Sequence, residues 1–127
     1  MELKPVHKAS CHCGAVKFEV TIPNGLVDLE RCSCSMCQKR GAIMASVPLD
    51  NLRITEGEAL LSLYQFNTKT AKHYFCSRCG IYTHHQERAK PEQYAYNVGC
   101  LEGVNSFELE DVPVYDGINH GADRRSN

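Results

Sequence analysis

Residues Val16 to Ile22 read VKFEVTI, apolar and polar in strict alternation, and the run ends at Pro23-Asn24-Gly25. A period of two marks a strand with one dry and one wet face, closed here by a turn tripeptide. If the extended backbone reaches back through Gly14, Cys11 and Cys13 project to one side and His12 to the other. Gly41 to Val47 (GAIMASV) is small, apolar and stopped by Pro48, which suits a short buried strand. Leu49 to Leu52 reads as one helical turn, and Arg53-Ile54-Thr55 leads to a turn at Glu56-Gly57-Glu58. Ala59 to Phe66 fits helix and strand equally by period, and its aromatic end favours strand. Asn67 to Thr70 reads as a hairpin loop into the strand His73-Tyr74-Phe75-Cys76, and Ile81 to Gln86 leaves the turn that follows. Tyr94 to Leu101 is a strand with Tyr94, Tyr96, Val98 and Cys100 on one face. From about Asp116 the chain is Gly-rich and polar, an ordered loop followed by a loose tail. The sum is a mainly β fold of about eight strands with one or two short helical turns.

A length of 127 residues suits one domain, taken as 1–127 with its core at about 10–115, and the chain can bury a core without staples. With 43% hydrophobic and 23% charged residues the composition is globular. A formal net charge of −1 gives no pull toward nucleic acid or an anionic membrane, so neither is expected as a partner. Locally the charge is uneven: Lys69, Lys72, Arg78, Arg88 and Lys90 precede an acidic stretch from Glu102 to Asp116. Two solvated faces are the ordinary reading, and a basic rim around a pocket for an anionic small molecule is the sharper one. MELKPVHKAS lacks the basic and apolar regions of a secretory signal, and no stretch nears the ~18 apolar residues of a membrane span. A cytoplasmic protein is expected, where eight cysteines are poor disulfide candidates and better suited to metal or chemistry.

Seven of those cysteines fall in three groups: Cys11-His12-Cys13, then CSCSMC (Cys32, Cys34, Cys37), then Cys76-Ser77-Arg78-Cys79-Gly80. In C-x-x-C-G two thiolates straddle a tight turn whose backbone N–H groups face the sulfurs, and glycine permits the left-handed residue that closes it. That is half of a tetrahedral zinc site, and two partitions complete it. Cys76 and Cys79 join Cys34 and Cys37 in a zinc-ribbon arrangement, or they join Cys11 and Cys13. The second is preferred: it uses every motif whole and leaves Cys32, Cys34 and Cys37 as a three-ligand set with an open position, as in catalytic zinc.

SCHCGAVKFEV, CSCSMCQKRGA and HYFCSRCGIYTHH, in that order, resemble the glutathione-dependent formaldehyde-activating family, which includes the centromere-protein-V-like domain. The resemblance runs from about Ser10 to Leu101. It implies a β-tent fold pinned by two zinc ions, with Cys11, Cys13, Cys76 and Cys79 on the structural ion and Cys32, Cys34 and Cys37 on the catalytic one. It also implies addition of formaldehyde to a glutathione thiol, formally a carbon–sulfur lyase run in reverse, so a small-molecule thiol is the expected partner. A tri-thiolate zinc carries net charge −1; it polarises a carbonyl poorly and holds a fourth thiolate well. Lys39 and Arg40, just after Cys37, are candidate substrate contacts that offset this charge.

Adjacent strand residues face opposite ways, so at most one of His84 and His85 lines the open site, and His84 is carried as the candidate. His7, His73 and His120 read as surface or structural, His12 as turned away from the metal, and Met36 as packing. Cys100 lies outside every ligand spacing and reads as a buried, inert thiol. The competing functions are a zinc-stabilised binding module without catalysis and a sensor that loses zinc on thiol oxidation.

Overall fold

The computed structural model describes residues 2–66 and 69–118. The strands expected from the sequence are recovered and extended: the described residues form ten strands in three sheets. The first sheet is antiparallel, in the order β1 (Val6–Ser10), β2 (Lys17–Thr21), β5 (Leu52–Glu56). The second, also antiparallel, has five strands in the order β4 (Met44–Pro48), β9 (Gln93–Asn97), β8 (Tyr82–Gln86), β7 (Lys72–Cys76), β6 (Leu61–Tyr64). The third pairs β3 (Arg31–Cys32) in parallel with β10 (Val114–Tyr115). One α-helix, α1, spans Ser35–Arg40.

In β2 the alternation does what the period requires, burying Phe18 and Val20 while Lys17 and Thr21 stay exposed. Those two side chains meet Leu52 of β5 and Ala45, Val47 and Tyr96 of the five-stranded sheet in the main core. Burial of such side chains contributes ~1.5–3 kcal/mol each and holds the two sheets together.

Several elements differ from the sequence reading, the two-residue strands β3 and β10 among them. β1 was not expected, because in VHKAS the buried positions are His7 and Ala9, which carry little hydrophobic signal. The extended backbone of β2 does not continue to Cys11: residues 11–14 form a turn, with Gly14 N–H donating to Cys11 C=O at 3.3 Å. CSMCQKR contains a helix where only loop was expected. The last strand stops at Asn97, whose side chain accepts from Gly99 N–H and starts a 3-10 turn over Val98–Cys100. Gly57 does close the turn after β5, in the left-handed region at φ 77°. Asn67, Thr68 and the tail from residue 119, including His120, lie outside the described residues. No helix is long and apolar enough to cross a membrane among the described residues.

One irregularity positions a functional side chain. Along β7 and β8, Tyr74 pairs with His84 and Phe75 with Tyr82, so Thr83 is an extra residue on β8. Such a bulge shifts the phase of the strand by one. His84 faces Phe18, Tyr74 and Tyr94, whereas His85 joins Tyr82 on the other side.

Candidate metal and thiol-binding site

The first cysteine cluster is built from two turns. Cys11 and Cys13 stand on the turn before β2, and Cys76 and Cys79 on the turn after β7, closed by Gly80 N–H to Cys76 C=O at 2.8 Å. Gly80 is left-handed at φ 77°, which a residue with a Cβ adopts at a cost. Backbone N–H groups of Val16 and Arg78 face the sulfurs of Cys11 and Cys76, each at 3.4 Å. The four Sγ atoms lie within 4.8 Å of one another. Cys11 to Cys13 is 3.6 Å and Cys13 to Cys76 is 3.7 Å. A tetrahedral zinc with Zn–S of about 2.3 Å places its sulfurs about 3.8 Å apart, so this donor set and spacing fit zinc. Val16, Leu60 and Leu61 pack against the cluster and tie it to the first two sheets.

The second cluster takes Cys32 from the end of β3 and Cys34 and Cys37 from the start of α1. Cys34 is the N-cap residue, and its sulfur accepts from Cys37 N–H at 3.4 Å. The C-x-x-C spacing thus spans the first helical turn and brings both sulfurs to one end of it. Cys34 N–H in turn faces Cys32 Sγ at 3.5 Å. The three sulfurs lie within 4.8 Å of one another. The cysteines therefore fall into the second of the two partitions, four and three.

Charge in this cluster also fits a cation. Hydrogen bonds from Cys32 and Cys37 pull the Cys34 thiol down to about 2, and the same pairing pushes the Cys32 and Cys37 thiols up. The protein alone thus favours one thiolate among three, and a divalent cation is what allows all three sulfurs to be charged at once.

A β10 strap covers one side. Ser33 N–H donates to Tyr115 C=O at 2.9 Å, and Gly117 N–H to Ser33 Oγ at 3.1 Å. A Cβ built on Gly117 would stand 2.5 Å from Cys32 Sγ and 2.8 Å from Cys34 Cβ, so the strap presses directly on the cysteine loop.

The three thiols open on a cavity of about 300 Å³, also lined by Phe66, His73, His85, Glu30, Glu87, Arg88, Lys90 and Tyr115. Of the expected basic rim, Arg88 and Lys90 are present, but Asp28, Glu30 and Glu87 share the wall, which is therefore mixed in sign. Burial pushes the Glu30 and Glu87 carboxyls up, reinforced at Glu30 by the charge of Glu87 and opposed at Glu87 by Ser46 Oγ, which donates to Glu87 Oε2 at 2.8 Å.

Arg40 sits behind the sulfurs. Its guanidinium stacks 3.6 Å from the Tyr82 ring centroid, and Nη2 donates to Cys37 Sγ at 3.3 Å. Nη1 donates to His73 Nδ1 at 3.1 Å. Burial first, and Arg40 second, hold His73 down at about 4 and His85 well below the usual imidazole range, so both imidazoles are neutral near pH 7.

The candidates from sequence separate accordingly. Arg40 touches the cluster; Lys39 is exposed and does not line the cavity. His84 is buried on the far face, held at about 4 by burial, while its neighbour His85 lines the cavity. His12 is exposed, and Cys100 is buried with its thiol pushed up to about 12 by burial. His7 is structural, accepting from Lys4 N–H at 3.1 Å and donating to Glu102 C=O at 2.7 Å. His73 was read as surface or structural and in fact lines the cavity. The signal that would have found it is its place on a strand that ends in a cysteine of the four-sulfur cluster, beside the partner strand carrying His85.

Comparisons with known proteins bear on the family of this chain. A curated Halomonas elongata protein named "Putative glutathione-dependent formaldehyde-activating enzyme" is 38% identical over 81 residues, which cover 57% of this chain and 50% of that protein. The chain therefore spans about half the length of that curated relative. The crystal structure of a Rhodobacter sphaeroides protein superposes with a TM-score of 0.81 at 56% identity, covering 84% of this chain and 98% of that one. The family model for glutathione-dependent formaldehyde-activating enzymes matches residues 6–115, and the chain belongs to that family.

Proposed function

We propose that the protein joins a thiol of the glutathione type to formaldehyde or a similarly compact carbonyl, the carbon–sulfur lyase reaction in its synthetic direction. In this reading Cys32, Cys34 and Cys37 hold a catalytic zinc, and Cys11, Cys13, Cys76 and Cys79 a structural one, in a single cytoplasmic domain covering 1–127. The observation that carries it is the three-sulfur cluster, one ligand short of a tetrahedron, opening on a 300 Å³ cavity. Zinc bound there would supply a Lewis acid that keeps an incoming thiol deprotonated near neutral pH.

The chain's own residues do the rest. Arg40, fixed against Cys37 and Tyr82, places a permanent positive charge beside the sulfurs and offsets their accumulated negative charge. Arg88 and Lys90 meet the carboxylates of a glutathione-like molecule, while Glu30 and Glu87 meet its ammonium group. The cavity orients thiol and carbonyl together, and the effective concentration so gained is the main source of acceleration.

Metal analysis combined with isothermal titration of glutathione tests the reading. Two zinc ions per chain and glutathione binding that is lost with one zinc in Cys34→Ala are expected. If Cys34→Ala keeps both ions and all thiol binding, the site is misassigned.

A further inference from the structure

We propose that His73 is the hydrogen-bond donor to the carbonyl oxygen of the substrate, and that Arg40 is the positioning residue that fixes it in the donating tautomer. This rests on the reading of the cavity as a thiol–carbonyl addition site.

An arginine side chain carries five N–H donors and no acceptor, so the 3.1 Å contact from Arg40 Nη1 requires His73 Nδ1 to be the unprotonated nitrogen. In a neutral imidazole the proton then sits on Nε2. No described residue accepts a hydrogen bond from that Nε2. The ring packs against Phe66 at 5.6 Å and 22° and against His85 at 4.8 Å and 31°, so its rotation is restricted. His73 lines the same cavity as the three cysteines, and a single guanidinium bridges its Nδ1 to Cys37 Sγ. Burial and the Arg40 charge disfavour the imidazolium, in agreement with the tautomer that geometry requires.

His85, the other cavity imidazole, is less suited. Its Nδ1 is engaged with Tyr82 Oη at 2.7 Å, and as both groups can donate or accept, that contact leaves its tautomer undetermined. Of these two cavity imidazoles, His73 is the one whose partner can only donate.

The step balances without further reagents. The thiol releases its proton on entering the site; the sulfur lone pair forms the S–C bond; the carbonyl π pair moves to oxygen; and the resulting alkoxide takes a proton back from water. His73 keeps its own proton throughout and stabilises the alkoxide by hydrogen bonding, because giving the proton up would leave an unfavourable imidazolate. A neutral donor held in place where charge develops requires little reorganisation at the moment of reaction.

Three measurements on the full, metal-loaded chain test this. Long-range ¹H–¹⁵N spectra at pH 7 should show His73 protonated at Nε2 alone; an Nδ1–H tautomer or an imidazolium overturns the proposal. With glutathione and formaldehyde, His73→Phe keeps an aromatic ring between Phe66 and His85 but has no donor, and should lower kcat by about 10²–10³-fold with glutathione affinity within about twofold of wild type. His73→Gln, which restores an N–H donor, should recover at least about tenfold of that loss. A His73→Phe enzyme within about threefold of wild-type kcat, or one that loses glutathione affinity in proportion to kcat, overturns the donor role alone. A wild-type protein that binds glutathione without accelerating adduct formation overturns the addition reading and the donor role with it, whichever tautomer is seen.

Discussion

Tyr82 and His85 lie three residues apart on one β-strand and still share a face, with Tyr82 Oη 2.7 Å from His85 Nδ1. A regular strand would put them on opposite faces; the extra residue Thr83 restores them to the same side. The bulge thus turns His85 toward the three cysteines and leaves His84 in the core.

Removing the Tyr82 hydroxyl tests how much this pairing matters. Both groups are buried, so Tyr82→Phe leaves His85 Nδ1 without its partner while keeping the ring on which Arg40 stacks. A loss of about 1–3 kcal/mol is expected in urea denaturation of the metal-loaded protein. Stability equal to wild type would show that the contact is not a structural hydrogen bond.

What the sequence disclosed follows the same divide. β2 was legible because its sheet is dry on one face only, so Phe18 and Val20 alternate with exposed neighbours. β8 is buried along Tyr82, Thr83, His84 and His85, and a strand covered on both faces has no alternation to read. Cysteine groups whose members are close in sequence were legible as units, since a turn or a helical turn brings them together whatever surrounds it. Cys11 and Cys13 do meet, through a turn and not through strand period. The choice of His85 over His84 was not legible, because a one-residue phase shift is fixed by pairing with β7 and leaves no mark in composition.

The two cysteine clusters should respond differently to loss of one thiol. Cys79 lies in the four-sulfur set that joins the turn before β2 to the turn after β7, and Cys79→Ser should abolish one metal and destabilise the fold strongly. Cys37→Ser should lose the other metal and leave a folded protein, because its helix is also held by the Gly41 cap and the β3–β10 pair. Circular dichroism melts alongside metal analysis decide; equal melting temperatures for the two variants would sink the division into structural and open sites.

Gly117 offers a substitution that reaches the open site from outside the ligand set. Its backbone is so close to the cysteine loop that an added Cβ would overlap Cys32 Sγ at 2.5 Å and Cys34 N at 2.9 Å. Gly117→Ala should therefore displace the strap or the loop, weakening zinc at that cluster by about tenfold or more while the four-sulfur cluster stays loaded. Competition with a chromophoric chelator separates the two affinities. Unchanged affinity at both would mean that the strap yields without disturbing the cysteines.

His84 predicts a pH dependence of stability whose sign is set by burial. It is 3% exposed on the core side of β8, and burial holds it down at about 4, against 6.5 for an ordinary imidazole. Between those values the unfolded chain binds a proton that the folded chain refuses, so stability falls as pH drops from about 6.5 to about 4. The linked loss is about 3 kcal/mol at pH 4. Acid also strips metal from thiolates, so the contribution must be isolated by difference. His84→Phe replaces the imidazole by a ring that does not titrate between Phe18, Tyr74 and Tyr94. Between pH 6.5 and 4, wild type should lose stability more steeply than His84→Phe, by up to one proton's worth of slope, about 1.4 kcal/mol per pH unit. Parallel curves for the two proteins would mean that His84 titrates alike in both states and is not held neutral by the core.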